Sequence, residues 1–526
     1  MREIITLIKV NFLNGFNSFK SQNNSQKIGS SVVAVVLGLL GIFLSVYANI
    51  MLYLLFKDAQ GAETTFVLMI MCVALLLIMF TSFMKVKGTL FGSKDYEMLK
   101  ALPVKRSSIL TAKLFDIYFS EFKFSLLALL PTLIIVCMYY PSLMSILIII
   151  SAMFFLPAFP ILIFGILSIL THLVFSKFKY GTLVSSIIYL AIFVGVYLMI
   201  YIPNDAQKVN IFTNTAEVFK YVYFPLFFVR DALFEGKVSG LLLYLGTNIG
   251  LLAIAGLLFV LTYDVVNRIS ESKKYKAYSE MEYKVEGVTK SLIKKDFSYI
   301  FSSFQLMINT LIGPVMSIVM VFIANMSSQG NVEDPEAARM VALYVGSVMI
   351  PMVAFMYGIT PYTSFAFAGD SKTFWIVKTL PLRSKDVVLP KIIVSLILTT
   401  PFAIGAGIVA GFVYNLDVVS FILATVFIVI YNLFVTILGT IFNMRKQLQI
   451  YKTEVEAVKR GGSTLYMLLV SLLAIAIFIT LSIVFVTFLE LYLALIIDSV
   501  VSLGAFIGAL IILNKNMDRW YYNLYC

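Results

Sequence analysis

Residues 93–113 read SKDYEMLKALPVKRSSILTAK, and residues 371–391 read SKTFWIVKTLPLRSKDVVLPK. Displaced by 278 positions, Ser93, Lys94, Lys100, Leu102, Pro103 and Lys113 fall on Ser371, Lys372, Lys378, Leu380, Pro381 and Lys391. Tyr96 falls on Phe374, Leu99 on Val377 and Lys105 on Arg383. Both stretches lie between long apolar segments. A basic loop that recurs at one place in two halves of an apolar chain points to an internal duplication, and the rest of the sequence can be read outward from it.

The surrounding composition sets the class. Of 526 residues, 60% are hydrophobic and 13% charged, against about a quarter charged in a soluble domain. Apolar runs long enough to cross a bilayer recur along the chain, so the expected fold is an all-α polytopic membrane protein. The net charge of +12 is spread over loops, as lysine and arginine gather on the inner side of a membrane. It forms no single patch, and nucleic acid is not an expected partner. Cys72, Cys137 and Cys526 lack metal-ligand spacing. His172, the single histidine, ends an apolar segment and reads as a helix-end residue. The first thirty residues are polar and amphipathic, so no cleaved signal peptide is expected.

Before the first duplicated loop, Phe12, Phe16 and Phe19 share a helical face. That helix can lie in the membrane interface, or on the bundle's own end. Six apolar spans follow, at about 30–56, 64–84, 115–139, 142–171, 181–202 and 238–263. The pattern then restarts. Displaced by 285, Leu7, Ile8, Lys9, Phe12, Phe16, Ser18 and Phe19 fall on Leu292, Ile293, Lys294, Phe297, Phe301, Ser303 and Phe304. Six more spans lie at about 305–326, 338–360, 391–415, 417–441, 464–489 and 491–513. The expectation is about twelve transmembrane helices in two parallel six-span repeats, residues 1–270 and 287–526, joined by a linker at 271–286. Each repeat opens with an interfacial amphipathic helix. Basic loops alternate with short acidic or neutral ones, which places both termini in the cytoplasm of a multi-pass cell-membrane protein.

The halves also differ. Residues 203–237 include FKYVYFPLFFVRDALFEG, too short and polar to span but apolar enough to dip into the membrane. Its counterpart near Leu489 is only a turn. Residues 444–462 read as a helix ended by Gly461 and Gly462.

No phosphate loop, nucleophile elbow or zinc motif occurs, so no catalytic residue, bound cofactor or metal is expected on this chain. Asp498, beside Ser499 and Ser502 in the last span, is a possible intramembrane polar site; the plainer reading is an acid bonded to neighbouring helices. Asp116, Glu121 and Lys123 read as an interfacial charge network. Gly407-x-x-x-Gly411 and Gly504-x-x-x-Gly508 read as helix packing.

The duplicated loops carry the strongest signal. Tyr96, Leu99 and Leu102, like Phe374, Val377 and Leu380, are spaced to share one apolar helical face. Ser93 and Ser371 stand where an N-cap belongs, and Pro103 and Pro381 end each helix. Lys105 and Arg383 follow. An apolar face with a cationic end suits a groove in a soluble partner; a membrane surface is the competing reading.

In span order, interfacial helices and this loop, the chain resembles the permease subunits of bacterial type-2 ATP-binding-cassette exporters, in the form that fuses two six-span units. The resemblance implies that Tyr96, Leu99, Leu102, Pro103, Lys105, Phe374, Val377, Leu380, Pro381 and Arg383 belong to coupling helices that dock on ATPase subunits, two per chain. ATP and magnesium would then reside on that partner. Phe224 to Leu233 matches the family's re-entrant segment, which the second half lacks. The implied role is non-catalytic: export of an amphipathic or hydrophobic substrate, whether lipid, peptide or drug-like. An ion-gradient-driven transporter or a membrane scaffold is the alternative, although the Gly-Asp-Arg loop of major-facilitator proteins is missing.

Overall fold

A computed structural model describes residues 2–17, 24–57, 62–90, 103–175, 178, 181–199, 222–272, 286–328, 346–371, 373–445, 462–488 and 491–524. Backbone amides at membrane depth have no water to bond, so apolar runs of this length close their hydrogen bonds within helices. The chain divides into two compact units, residues 1–279 apart from 203–209, and residues 280–526 with 203–209.

The first unit begins with α1 (Arg2–Asn17), α2 (Asn24–Phe56) and α3 (Ala62–Leu90). It continues with α4 (Arg106–Tyr139), α5 (Leu143–Phe155) and α6 (Ala158–Phe175). Pro157 sits in the turn that separates α5 from α6, where its missing N–H would break the helical ladder. α7 (Gly181–Met199), α8 (Pro225–Glu235) and α9 (Val238–Ser272) complete it.

The second unit contains α10 (Val288–Ser302), α11 (Phe304–Ser328) and α12 (346–355). Two short helices follow, α13 (Ala366–Asp370) and α14 (Phe374–Thr379). Then come α15 (Ser384–Val413), α16 (Val418–Arg445), α17 (Gly462–Phe488) and α18 (Leu491–Tyr522). Among the described residues, nine stretches are long and apolar enough to cross a membrane. Shorter apolar helices at Gly38–Leu54, Gly181–Gly195 and Gly346–Gly358 fall at the other three expected spans.

Several helices overrun their expected apolar limits. α3 continues to Leu90, which makes Lys85 and Lys87 helical rather than loop residues. α4 starts at Arg106, well before the apolar run. Hydropathy marks the hydrocarbon boundary, but a polar residue carries its own backbone bond and need not end a helix. Gly462 corrects another expectation: it opens α17 instead of ending the preceding segment, whose residues 446–461 lie outside the described ones.

The segment expected to dip into the membrane contains α8, which folds back on α9 and buries Leu226, Val229 and Ala232. Gly236 makes the reversal with φ +61°, a conformation that glycine adopts without Cβ strain. A Cβ on Gly240 would lie 2.7 Å from the Phe228 carbonyl oxygen, so the hairpin closes with its two backbones in direct contact. At its base the Tyr223 hydroxyl donates to Asn248 Oδ1 at 2.8 Å, both buried.

In the second unit α16 is central, packed on α15, α17 and α18. The gaps at Gly407 and Gly411 are filled by α16: added Cβ atoms would lie 2.5 Å from Thr425 Oγ1 and 1.8 Å from a ring carbon of Phe421. Gly504 and Gly508 depart from the packing expectation, for no described residue lies within 4 Å of a Cβ built there. Small residues permit close approach but do not supply the neighbour.

Candidate functional site

The second duplicated loop is fully placed except for Lys372, and it is held from three directions. Its approach, residues 362–367, is fastened to α16 and α17. The Phe367 N–H donates to Asn443 Oδ1 at 2.8 Å, and Thr363 Oγ1 donates to the Thr436 carbonyl at 2.8 Å. Ser463 Oγ donates to the Ser364 carbonyl at 2.7 Å. Gly439 permits this contact, since a Cβ there would meet Thr363 Oγ1 at 2.7 Å.

The second restraint is a buried ion network. Lys391, about two turns into α15, lies 2.6 Å from Asp370 at the end of α13 and 3.3 Å from Asp296 on α10. Lys295, from the same turn of α10, lies 2.8 Å from Asp370. Lys391, Asp370 and Asp296 are almost completely buried, and Lys295 is 38% exposed. The Lys391 ammonium also donates to the Ala366 carbonyl at 3.4 Å and sits 5.2 Å from the centre of the Phe367 ring. Three segments far apart in sequence thus share two cations and two anions, which balances the charge that burial makes costly. Burial pushes the Asp370 carboxyl up, but Lys391 and Lys295 together outweigh it and hold it below the ordinary carboxylate value.

The third restraint reaches the end of the chain. Phe374 packs edge-on against Phe367 at 5.9 Å and Tyr521 at 6.0 Å. The Lys378 ammonium donates to the carbonyls of Tyr522, at 3.2 Å, and Leu524. Phe374 and Val377 join a core of Val388, Ile392, Ile441, Leu513 and Met517.

This placement revises the contact face read from the sequence. Phe374 and Val377 are buried in the chain itself and are not free to touch a partner. The spacing that put them on one face was informative, but α15, α16 and α18 cover that face. Trp375 (65% exposed), Ile376 (45%) and Leu380 (50%) form the outward side, with Pro381 and Arg383 also exposed. The cap differs too: Thr373 precedes the first turn of α14, whereas Ser371 closes α13. Leu380 is extended with ψ 147°, as a residue before proline favours, and α14 ends there.

α10 turns Asp296 and Ile300 inward on α15. Phe297 and Phe301 stack at 5.7 Å and remain half-buried on its flank. Phe304 is buried and belongs to the next helix, so the expected aromatic face is divided at Ser303.

In the first unit, Tyr96, Leu99, Leu102 and Phe19 lie outside the described residues. Phe12 and Phe16 belong to α1, and Pro103 and Lys105 are exposed. α1 reaches the start of α4 through Glu3, which accepts from the Lys105 N–H at 3.4 Å and Ser108 Oγ at 3.1 Å. At the positions aligned with Asp370 and Asp296 stand Gly92 and Asn11. The charge network expected near the start of α4 is rearranged. Lys85 of α3 pairs with Asp116 at 3.5 Å, and Glu121 is buried and accepts from Thr81. Lys123 stands apart over the Phe119 ring. Lys87, unread in the sequence, is buried with its ammonium 2.7 Å from Ser185 Oγ. Asp498 is buried between α17 and α18 and accepts from Ser482.

Sequence reasoning did not bring together Asp296, Asp370, Lys295 and Lys391. One signal was present: Lys391 aligns with Lys113 inside the duplicated stretch, at the entrance to an apolar run, where a lysine needs a partner.

A family model described as "Membrane protein of 12 TMs" matches residues 13–515, and the chain belongs to that family. No curated protein and no solved structure matches it.

Proposed function

We propose that this member of the twelve-span family is the membrane-spanning permease of an ATP-binding-cassette exporter, driven by separate ATPase subunits. Export of an amphipathic or hydrophobic substrate is the accompanying reading. The observation that carries it is α14: a short helix with an apolar outward side, basic neighbours, and inward contacts to four structural elements. Trp375, Ile376 and Leu380 offer a soluble partner an apolar seat, and Lys378, Arg383 and Lys385 surround it with positive charge. A push on α14 would be transmitted through Phe374 to α18, through Asp370 and Lys391 to α15, and through Asp296 to α10. Such a mechanism requires a contact that differs between two nucleotide states of the partner.

The test uses the full chain with its candidate ATPase, identified as a co-purifying protein that carries a phosphate loop. Trp375→Asp with Leu380→Asp is expected to lower co-purification and stimulated ATP hydrolysis by about tenfold or more, through loss of apolar anchors. Thermal unfolding of the permease alone should stay near that of the native chain. Undiminished co-purification and stimulation would remove the docking role from α14. With no phosphate-loop partner recovered under any condition, the reading falls altogether.

A further inference from the structure

The C-terminal ends of α16 and α18 enclose a second feature at this end of the unit. It is an open cavity of about 600 Å³. Arg445 and Arg519 supply its charge, and Asn516 and Asn523 supply amides. Met444, Ile512 and Trp520 form the apolar walls. Among the described residues, no carboxylate lines it and neither arginine has an ion-pair partner. The Arg445 guanidinium lies 5.9 Å from the Trp520 ring centre, at the outer limit of a cation–π contact, which does not neutralise its charge. Asn516 donates one amide hydrogen to the Ile512 carbonyl at 2.9 Å, which leaves its other hydrogen and its carbonyl for a ligand.

Depth along α18 identifies the ligand class. The apolar run ends at Leu513, and Lys515 is the first charge after Asp498. Ile512 is therefore at the edge of the hydrocarbon, half-exposed beside the similarly exposed Ile511. Arg519 is about 10 Å further along the axis, at 1.5 Å per residue, which is headgroup depth. Trp520 is the residue type enriched at that level. The cavity thus has a cationic rim at phosphate depth and an apolar floor continuous with the lipid-facing side of the helix.

We propose that Arg445 and Arg519 hold the phosphate of an anionic phospholipid between α16 and α18, with its first acyl carbons on Ile512. Paired guanidinium groups suit phosphate oxygens because each presents parallel N–H donors. Basic pockets between membrane helices recruit such lipids. The site is separate from the seat on α14, although Tyr521 and Tyr522 connect the two.

The experiment uses the full chain, delipidated in neutral detergent and titrated with phosphatidylglycerol, phosphatidylcholine or inorganic phosphate. Native mass spectrometry reads bound lipid, and thermal unfolding reads protection. Phosphatidylglycerol is expected to bind about tenfold tighter than phosphatidylcholine, and R445Q/R519Q should remove that preference while leaving the lipid-free unfolding midpoint unchanged. The single variants R445Q and R519Q, each expected to weaken phosphatidylglycerol about threefold, serve if the double variant misfolds. Retention of the full preference in these variants overturns the site. Equal protection by inorganic phosphate, lost in R445Q/R519Q, overturns the lipid assignment in favour of a soluble phosphate ligand.

Discussion

Two cation pairs of the second unit differ in one respect: among the described residues, Lys391 and Lys295 are matched by carboxylates and Arg445 and Arg519 are not. Lys391 and Lys295 share Asp370 and Asp296 in a nearly sealed cluster. Arg445 and Arg519 face an open cavity with amides and a tryptophan and, among the described residues, no acid. The difference assigns different work to like charges. A neutralised, buried cluster fixes the relative positions of three backbone segments. An accessible pair that no described carboxylate neutralises has charge to offer a ligand.

The sharpest way to break this comparison is to delete one cation from each pair. Lys391→Met leaves two carboxylates buried with the half-exposed Lys295 as their one remaining ion-pair partner among the described residues. It should destabilise the unit by about 3–5 kcal/mol, read as a lowered unfolding midpoint of the purified chain. Adding D370N and D296N to that variant should recover most of the loss, because the stranded charges go with their partner. Arg445→Gln should stay within about 0.5 kcal/mol. Similar costs for Lys391 and Arg445 would show that pairing does not separate the two sites.

The faces of α14 give a second, slightly smaller contrast. Phe374→Ala removes a buried ring from between Phe367 and Tyr521 and should cost about 3 kcal/mol or more. Trp375→Ala, next in sequence but outward, should cost less than about 0.5 kcal/mol and act instead on the docking proposed for α14. Unfolding midpoints of the two variants, measured together, decide whether α14 is oriented as described.

Titration separates the cation pairs in another way. Asp370 is held below the ordinary carboxylate value when folded. Its contribution is therefore present above the unfolded value of about 3.9 and is lost as pH falls through the lower folded value. Between about pH 5 and 7 the unfolding midpoint should show no pH dependence from this group; below about pH 4 stability should fall, and D370N should flatten that acid limb. Arginine does not titrate in this range, so R445Q should leave the profile unchanged in shape.

The twelve spans could be read in the sequence because an uninterrupted apolar run of bilayer length is seldom stable outside a membrane. The boundaries could not, since Lys85, Lys87 and Arg106 continue helices beyond the hydrocarbon. Residues 374–380 show a subtler limit. Periodicity established that Phe374 and Val377 share a face, but only the positions of α15, α16 and α18 decide that this face is covered and that Trp375 and Ile376 look outward. The ion network was less legible still. Asp296 and Lys391 are 95 positions apart, and neither stands in a recognisable motif. Arg445 and Trp520 come together only because α16 and α18 end at the same level.

The smallest predicted effect bears most directly on why the two cation pairs differ. Lys295 contacts Asp370 at 2.8 Å, close to the 2.6 Å of Lys391, so distance alone would rank them together. Exposure separates them, at 38% against 3%. Water screens the Lys295 charge and would hydrate Asp370 in its place, so Lys295→Met should cost no more than about 1 kcal/mol at neutral pH. The substitution should still register in acid. Lys295 is one of the two charges that lower the Asp370 value, and its removal raises that value. As pH falls, stability should then be lost at a higher pH than in the native chain. A K295M variant with a small neutral-pH cost and a displaced acid limb would show that burial, more than contact distance, makes Lys391 the structural cation. A cost equal to that of K391M would mean that the cluster responds to the number of its charges, and the distinction from the open arginine pair would then rest on the carboxylates alone.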